Sequence, residues 1–182
     1  RGRGGGRVSA LERPAAPAAF GEPRRRTITW HDPHAAAQAA RGLAGRELLE
    51  AIAAGRIPPP PIASVLGFEI VEVGDGEVRF AVTPDERTYN PLGLVHGGVT
   101  CTLLDSAIGC AVHTRLPAGV AYTTIDLQVS FLRPVRAGDR MLAHAWVTKP
   151  GRRVAFAQGE VRDDAGRLVA TATSSLLVLG GG

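Results

Sequence analysis

The chain predicts an α+β fold in which one antiparallel sheet wraps around one long central helix. Three observations carry this expectation. Residues 96–116 (HGGVTCTLLDSAIGCAVHTRL) have helical character, with apolar or small residues on almost every side. Strand-like runs flank that stretch, two before it and four after it. Turn-forming Gly, Pro, Asn and Asp separate the runs. A helix that is apolar all round must be buried all round, and a sheet curled about it is the simplest way to achieve that.

The 182 residues, 45% apolar and 21% charged, are enough for one globular domain with some excess. The sequence pI of about 9.8 raises the question of a nucleic-acid partner. The basic charge is concentrated at the front: residues 1–26 hold seven arginines against Glu12 and Glu22, so 7 − 2 = +5 of the +4 total, leaving −1 elsewhere. That front segment is rich in Gly, Pro, Ala and Arg and has no apolar period, so residues 1–29 are expected to be a disordered tail or appended sequence. Its Arg-Gly patches lack interleaved aromatics, which argues against a specific nucleic-acid partner. There is no apolar run of about 18 residues and no secretory signal at the front, so the expectation is a cytoplasmic protein without a membrane partner. Cys101 and Cys110 would stand about 13 Å apart along one helix, too far for a disulfide, and read as small buried residues in a reducing compartment.

From the N-terminal side, Asp32-Pro33 reads as a cap and first turn for a helix over HAAAQAARGLAGRELLEAIAAG, with Gly42 and Gly45 as candidate interruptions. Pro58 to Pro61 are expected to be non-helical and to form a stiff connector. Residues 30–61 are thus a helical extension that leads into a main domain over 62–179. The runs Phe68 to Val73 and Glu77 to Val82 flank Gly74-Asp75-Gly76, a hairpin signature. Residues 84–95 are a Pro/Gly/Asn loop before the apolar helix. After Pro117-Ala118-Gly119 the period becomes two, with Ile125, Leu127, Val129 and Phe131 alternating with Thr124, Asp126, Gln128 and Ser130. Strands at Arg140 to Lys149, Val154 to Arg162 and Leu168 to Leu179 follow, joined by Pro150-Gly151 and Asp163-Asp164-Ala165-Gly166.

Asp105 is the anomaly, an ionisable residue inside a helix of Val99, Leu103, Leu104, Ala107, Ile108 and Ala111. It either caps a backbone group or serves chemistry, and carboxylates in apolar sites cluster at function. Upstream, Gly93, His96, Gly97 and Gly98 lie where loop becomes helix, and free N–H groups at a helix N-terminus suit a developing oxyanion. Asn90 and His96 can orient that loop or a ligand. His96 and Asp105 are nine residues apart, about 13 Å along one helix, and cannot serve the same reacting carbon within one chain. Two copies related by a two-fold axis would bring one helix N-terminus to the other's Asp105, so an obligate dimer with composite sites is expected.

The motifs Asn90-Pro-Leu-Gly93-Leu-Val-His96-Gly97-Gly98, Leu104-Asp105, Thr124-Ile-Asp126 and Phe131-Leu-Arg-Pro134 resemble those of the PaaI-type hotdog thioesterases, over roughly residues 62–178. The resemblance implies a hotdog fold and hydrolysis of acyl- or aroyl-CoA thioesters to free acid and coenzyme A. Asp105 would activate water or attack the thioester, and the Gly97 amide would polarise its carbonyl. Asn90 and His96 would support Gly97 from the same subunit, while Asp105 and the Thr124 hydroxyl come from the neighbour in a dimer or dimer of dimers. Alternation favours Thr124 over Thr123 by placing it on the polar face with Asp126, whereas Thr123 would point with Ile125 and Leu127 into the apolar side. Gly93, Gly98, Asp126 and Arg133 are the expected substrate-binding positions, with Arg115, Arg152 and Arg153 as further candidates for the coenzyme A phosphates. No cofactor is expected. His31 and His34 have ligand-like spacing but no third ligand nearby, so no metal is expected. The other functions compatible with such a pocket are a hotdog hydratase or dehydratase and a non-catalytic acyl-CoA-binding protein. The helical extension before Pro58 would cover the pocket or strengthen the oligomer.

Overall fold

The computed structural model describes residues 20–180. Residues 1–19 of the expected tail lie outside the described residues. Residues 21–32 carry no helix or strand and are tied to the body by exposed ion pairs, Arg24 with Glu86 and Arg26 with Asp85, of a kind that contributes little to stability.

The single helix expected after Asp32 is two. Helix α1 (Pro33–Ala39) starts where the Asp32 carboxylate accepts from the His34 N–H at 2.8 Å. Gly42, at φ +86°, then turns the chain into α2 (Gly45–Ala53). Gly45 is small for a reason: its N–H donates to Leu116 O at 3.0 Å, and a Cβ there would lie 1.9 Å from His113 O. The prolines hold a second correction. Pro61 is not connector but the first residue of α3 (Pro61–Leu66), where a missing N–H costs nothing.

The main sheet is antiparallel throughout. Its strands are β1 (Phe68–Val73), β2 (Glu77–Val82), β3 (Ala121–Phe131), β4 (Met141–Lys149), β5 (Val154–Asp163) and β6 (Leu168–Leu179), in spatial order β1-β2-β4-β5-β6-β3. Helix α4 (Gly97–His113) lies on the inner face against every strand from β2 to β6. Its Leu103, Leu104, Ala107, Ile108 and Ala111 are buried. Small residues beneath it, Ala143, Ala145 and Ala157, let it approach the sheet, and a Cβ on Gly159 would come within 3.1 Å of Ile108 Cγ1 and 3.2 Å of Leu104 Cδ2. No helix among the described residues is long and apolar enough to cross a membrane.

Strand β3 departs from the simple alternation expected of it. Thr124 pairs with Leu176 and Asp126 with Ser175, which leaves Ile125 as the extra residue of a β-bulge. The bulge reverses the faces. Tyr122 and Thr124 before it, and Leu127 and Val129 after it, turn towards α4, while Thr123, Ile125 and Asp126 are exposed on the other side. Thr124 therefore does not share a face with Asp126, and Thr123 does not point inward with Leu127.

Replacing the 1% exposed Ile108 by Ala should cost about 2–5 kcal/mol of unfolding free energy by urea denaturation. A loss under about 1 kcal/mol would mean that Ile108 is not packed between the helix and the sheet as described.

Candidate active site

The first half of the site is built at the N-terminus of α4. After a short 3-10 turn (Glu86–Thr88), Asn90 Oδ1 accepts from the Leu92 N–H at 2.9 Å and the Leu94 N–H at 3.3 Å. Gly93 adopts φ +72° and donates its N–H to Asn90 O at 3.1 Å, closing the turn. This rigid loop delivers His96, whose N–H donates to Thr88 O at 2.7 Å and whose Nδ1 accepts from the Gly98 N–H at 2.8 Å. His96 is thus the N-cap of α4. Accepting at Nδ1 puts the proton of a neutral ring on Nε2.

One donor is left over. Gly98 is capped and the Val99 N–H donates to His96 O, but the Gly97 N–H has no acceptor among the described residues. It stands at the positive end of a 17-residue helix, beside a cavity of about 410 Å³ lined in part by Asn90, Gly97, Phe131 and Arg133. Phe131 lies directly over Gly97, so a Cβ there would meet its ring at 3.0 Å. His96 and Gly98 border a different hollow on the opposite flank, against Ile62 and Leu66 of α3.

The second half lies two turns further along α4. Asp105 is half-buried, and its Oδ1 accepts from the Thr124 hydroxyl at 2.9 Å. Cys110 and Tyr122 lie close enough to feel its charge. Burial pushes the Cys110 thiol up to about 12. Burial also raises Tyr122 well above the usual phenol value, with Cys110 and Asp105 adding to the effect, so both groups are neutral at physiological pH. Edge-on to Tyr122, at 5.4 Å between ring centroids, sits His113, whose basicity is lowered by burial.

The candidate residues of one chain therefore fall into two groups. Asn90, Gly97 and Arg133 share one cavity, His96 and Gly98 cap it from behind, and Asp105 with Thr124 stand apart, about 12 Å along the helix from Gly97. Gly93 serves the turn and has open space around it. Asp126 belongs to neither group. The bulge sends its carboxylate to the outer face of the sheet, where it accepts from the Ser175 hydroxyl, while its backbone oxygen takes the Ser174 hydroxyl at 2.6 Å. Among the arginines, Arg115 is paired with Asp75 at 3.1 Å and, with Arg152, borders a separate cavity at the C-terminal end of α4. No group of three metal-ligating side chains occurs among the described residues.

Sequence reasoning did not single out Tyr122, Ser106 or the stacking of Phe131 on Gly97. Gly109 was the available signal for Tyr122. A glycine inside a buried helix marks a close approach, and here a Cβ would stand 2.6 Å from Tyr122 Oη. With its thiol near 12, Cys110 should be less than about 1% thiolate at pH 10 and resist iodoacetamide in the native protein, becoming reactive only on unfolding. Rapid native labelling of Cys110 at pH 8 would contradict the raised pKa of its thiol.

Residues 92–170 match the family model described as the thioesterase superfamily. A protein of Halobacterium salinarum is 42% identical over 102 residues, which are 53% of this chain and 66% of that protein, just under two thirds of its length. Human acyl-coenzyme A thioesterase 13 is 28% identical over 127 residues, 69% of this chain and 87% of its own. Among solved structures, the phenylacetic acid degradation-related protein of Ralstonia eutropha superposes with a TM-score of 0.66 at 33% identity, over 71% of this chain and 98% of that one.

Proposed function

Because the chain belongs to the thioesterase superfamily, in its PaaI-type hotdog branch of thioester hydrolases, we propose that it hydrolyses acyl- or aroyl-CoA thioesters to the free acid and coenzyme A, in composite sites formed by two copies. The observation that carries this is the placement of both half-sites along one unpaired edge. Strand β3 closes the sheet with only β6 beside it, and its Ile125 and Phe131 are each 55% exposed. Thr124, bonded to Asp105, and Phe131, over Gly97, lie on that strand. Antiparallel pairing of two β3 edges, centred between Leu127 and Gln128, sets Thr124 of one copy opposite Phe131 of the other. Each Asp105 then faces the Gly97 of its partner, and one dimer holds two sites.

The chemistry follows from those two groups. The thioester carbonyl oxygen accepts from the free Gly97 N–H, which stabilises the charge that develops as the carbon becomes tetrahedral. Asp105, oriented by Thr124, takes a proton from the attacking water, and collapse of the adduct expels the coenzyme A thiolate. In the alternative course, the carboxylate itself attacks the carbonyl, the C–S bond breaks to release the coenzyme A thiolate, and water hydrolyses the resulting anhydride to the free acid and the carboxylate. Either course suffices for a thioester, because a thiolate leaves readily and needs little acid assistance. Arg133 at the rim of the Gly97 cavity supplies a cation for the phosphates of coenzyme A.

Release of free coenzyme A from a panel of aromatic, short-chain and medium-chain thioesters tests the assignment. Asp105→Asn should reduce kcat by about two orders of magnitude or more in a folded protein. Gly97→Pro deletes the N–H and adds a ring at a helix position that tolerates proline, and His96 already has the extended backbone that a following proline requires (φ −62°, ψ 134°). It should lose about 100-fold in kcat relative to Gly97→Ala, whose Cβ also meets Phe131 but which keeps the donor. Equal activity in the two Gly97 variants would remove the oxyanion role, and acyl-CoA binding without turnover in the wild type would make the protein a binder rather than an enzyme.

A further inference from the structure

A second cavity of about 360 Å³ lies behind Asp105, between α4 and the N-terminal extension. Its walls include Leu49 and Ile52 of α2, Ala63 of α3, Ser106 and Cys110 of α4, and Tyr122 of β3. Asp105 and Thr124 do not line it, but its near end holds Tyr122, which precedes Thr124 by two residues on the same inward face, and Ser106, the residue after Asp105 on the helix. Burial raises the pKa of Cys110 and Tyr122, and the charge of Asp105 adds to both. The lining is apolar apart from neutral hydroxyls and a neutral thiol, and its one charged residue, Glu69, is solvent-exposed. A cavity of about 150 Å³ accepts benzene, so this one has room for more than a single ring.

The far wall is held firmly. Leu49 and Ala51 of α2 are 3% and 5% exposed, Ala63 of α3 is 5% exposed, and Gly45 is bonded to the chain just after α4. This wall also lies outside the superfamily match, which begins at residue 92. We propose that the cavity is an acyl chamber that receives the distal part of the thioester's acyl group, and that α2 and α3 form its end wall and set the longest acyl group accepted. The proposal rests on the thioesterase assignment for the identity of the ligand. It makes Ile52, Ala63 and Cys110 specificity-determining residues and gives the extension a role in substrate selection.

The test compares binding of non-hydrolysable alkyl thioethers of coenzyme A carrying two, six and ten carbons with hydrolysis of the matching acyl thioesters. In the wild type, affinity should rise by roughly threefold to fourfold per added methylene until the chamber is full. Cys110→Phe and Ile52→Trp, checked for native circular dichroism and melting, should each weaken ten-carbon binding by about tenfold or more and leave two-carbon binding within about twofold. If Cys110→Phe does not fold, Ile52→Trp at the partly exposed wall decides. A folded Ile52→Trp protein with wild-type chain-length dependence in binding and hydrolysis would overturn the chamber. Chain-length-dependent binding that the variants abolish, without any hydrolysis, would uphold the chamber and count against the thioesterase assignment instead.

Discussion

Packing of the apolar face of α4 into the curved sheet is the constraint from which the remaining features follow, although the helix is not buried all round as its composition suggested. The buried Val99, Leu103, Leu104, Ala107, Ile108, Ala111 and Val112 of this 17-residue helix make one broad apolar face that the sheet bends around, while Thr102, Asp105, Ser106 and Cys110 on the other side are only half-buried. The strands beneath it carry alanine and glycine because larger side chains would hold it away, as the contacts at Gly159 show. Burial also decides where polar groups can survive. Asp105 keeps its place because the Thr124 hydroxyl satisfies one oxygen and the residue retains some surface. At the N-terminus, the helix must emerge from a loop tight enough to leave its first N–H free. Asn90, Gly93 and His96 together provide that loop, each using its polar groups on the backbone around it.

The division of labour between sequence pattern and tertiary structure is clearest at β3. Alternation located the strand and directed attention to Thr124, but for a reason that the structure reverses. Thr124 meets Asp105 because a bulge at Ile125 turns it inward, not because it shares a polar face with Asp126. A single inserted residue changes the side of everything that follows, and period-two reasoning has no means of detecting it. The Asp32 cap was legible because it depends on neighbours two residues away. The start of α3 at Pro61 was not, because a run of prolines carries the same local signal in a connector and in a first helical turn. The buried helix, the strand count and the turns were legible from local composition. The chamber was not, because it lies between α2, α3, α4 and β3, which are distant in sequence.

The N-terminal extension and the edge strand complement one another. Within the extension, α2 packs on the end of α4 opposite the Gly97 donor while α3 reaches the hollow beside His96 and Gly98. Together they wall the cavity near Asp105, whereas β3 offers an unpaired edge that joins two half-sites. In this arrangement the dimer edge assembles the reacting groups, and each chain's own extension bounds the space behind them. Chemistry and acyl selection are thereby assigned to different elements.

The central claim is that each site draws Gly97 from one chain and Asp105 from the other. Its most direct test is subunit mixing between Asp105→Asn and Gly97→Pro proteins, refolded together in equal amounts. Each parent should be nearly inactive. Random pairing makes about half of the dimers mixed, each with one intact site and one doubly damaged site, so the mixture should recover about a quarter of wild-type activity. If the mixture is no more active than its parents although mixed dimers are isolated, the two groups do not meet across the interface and the composite site is wrong.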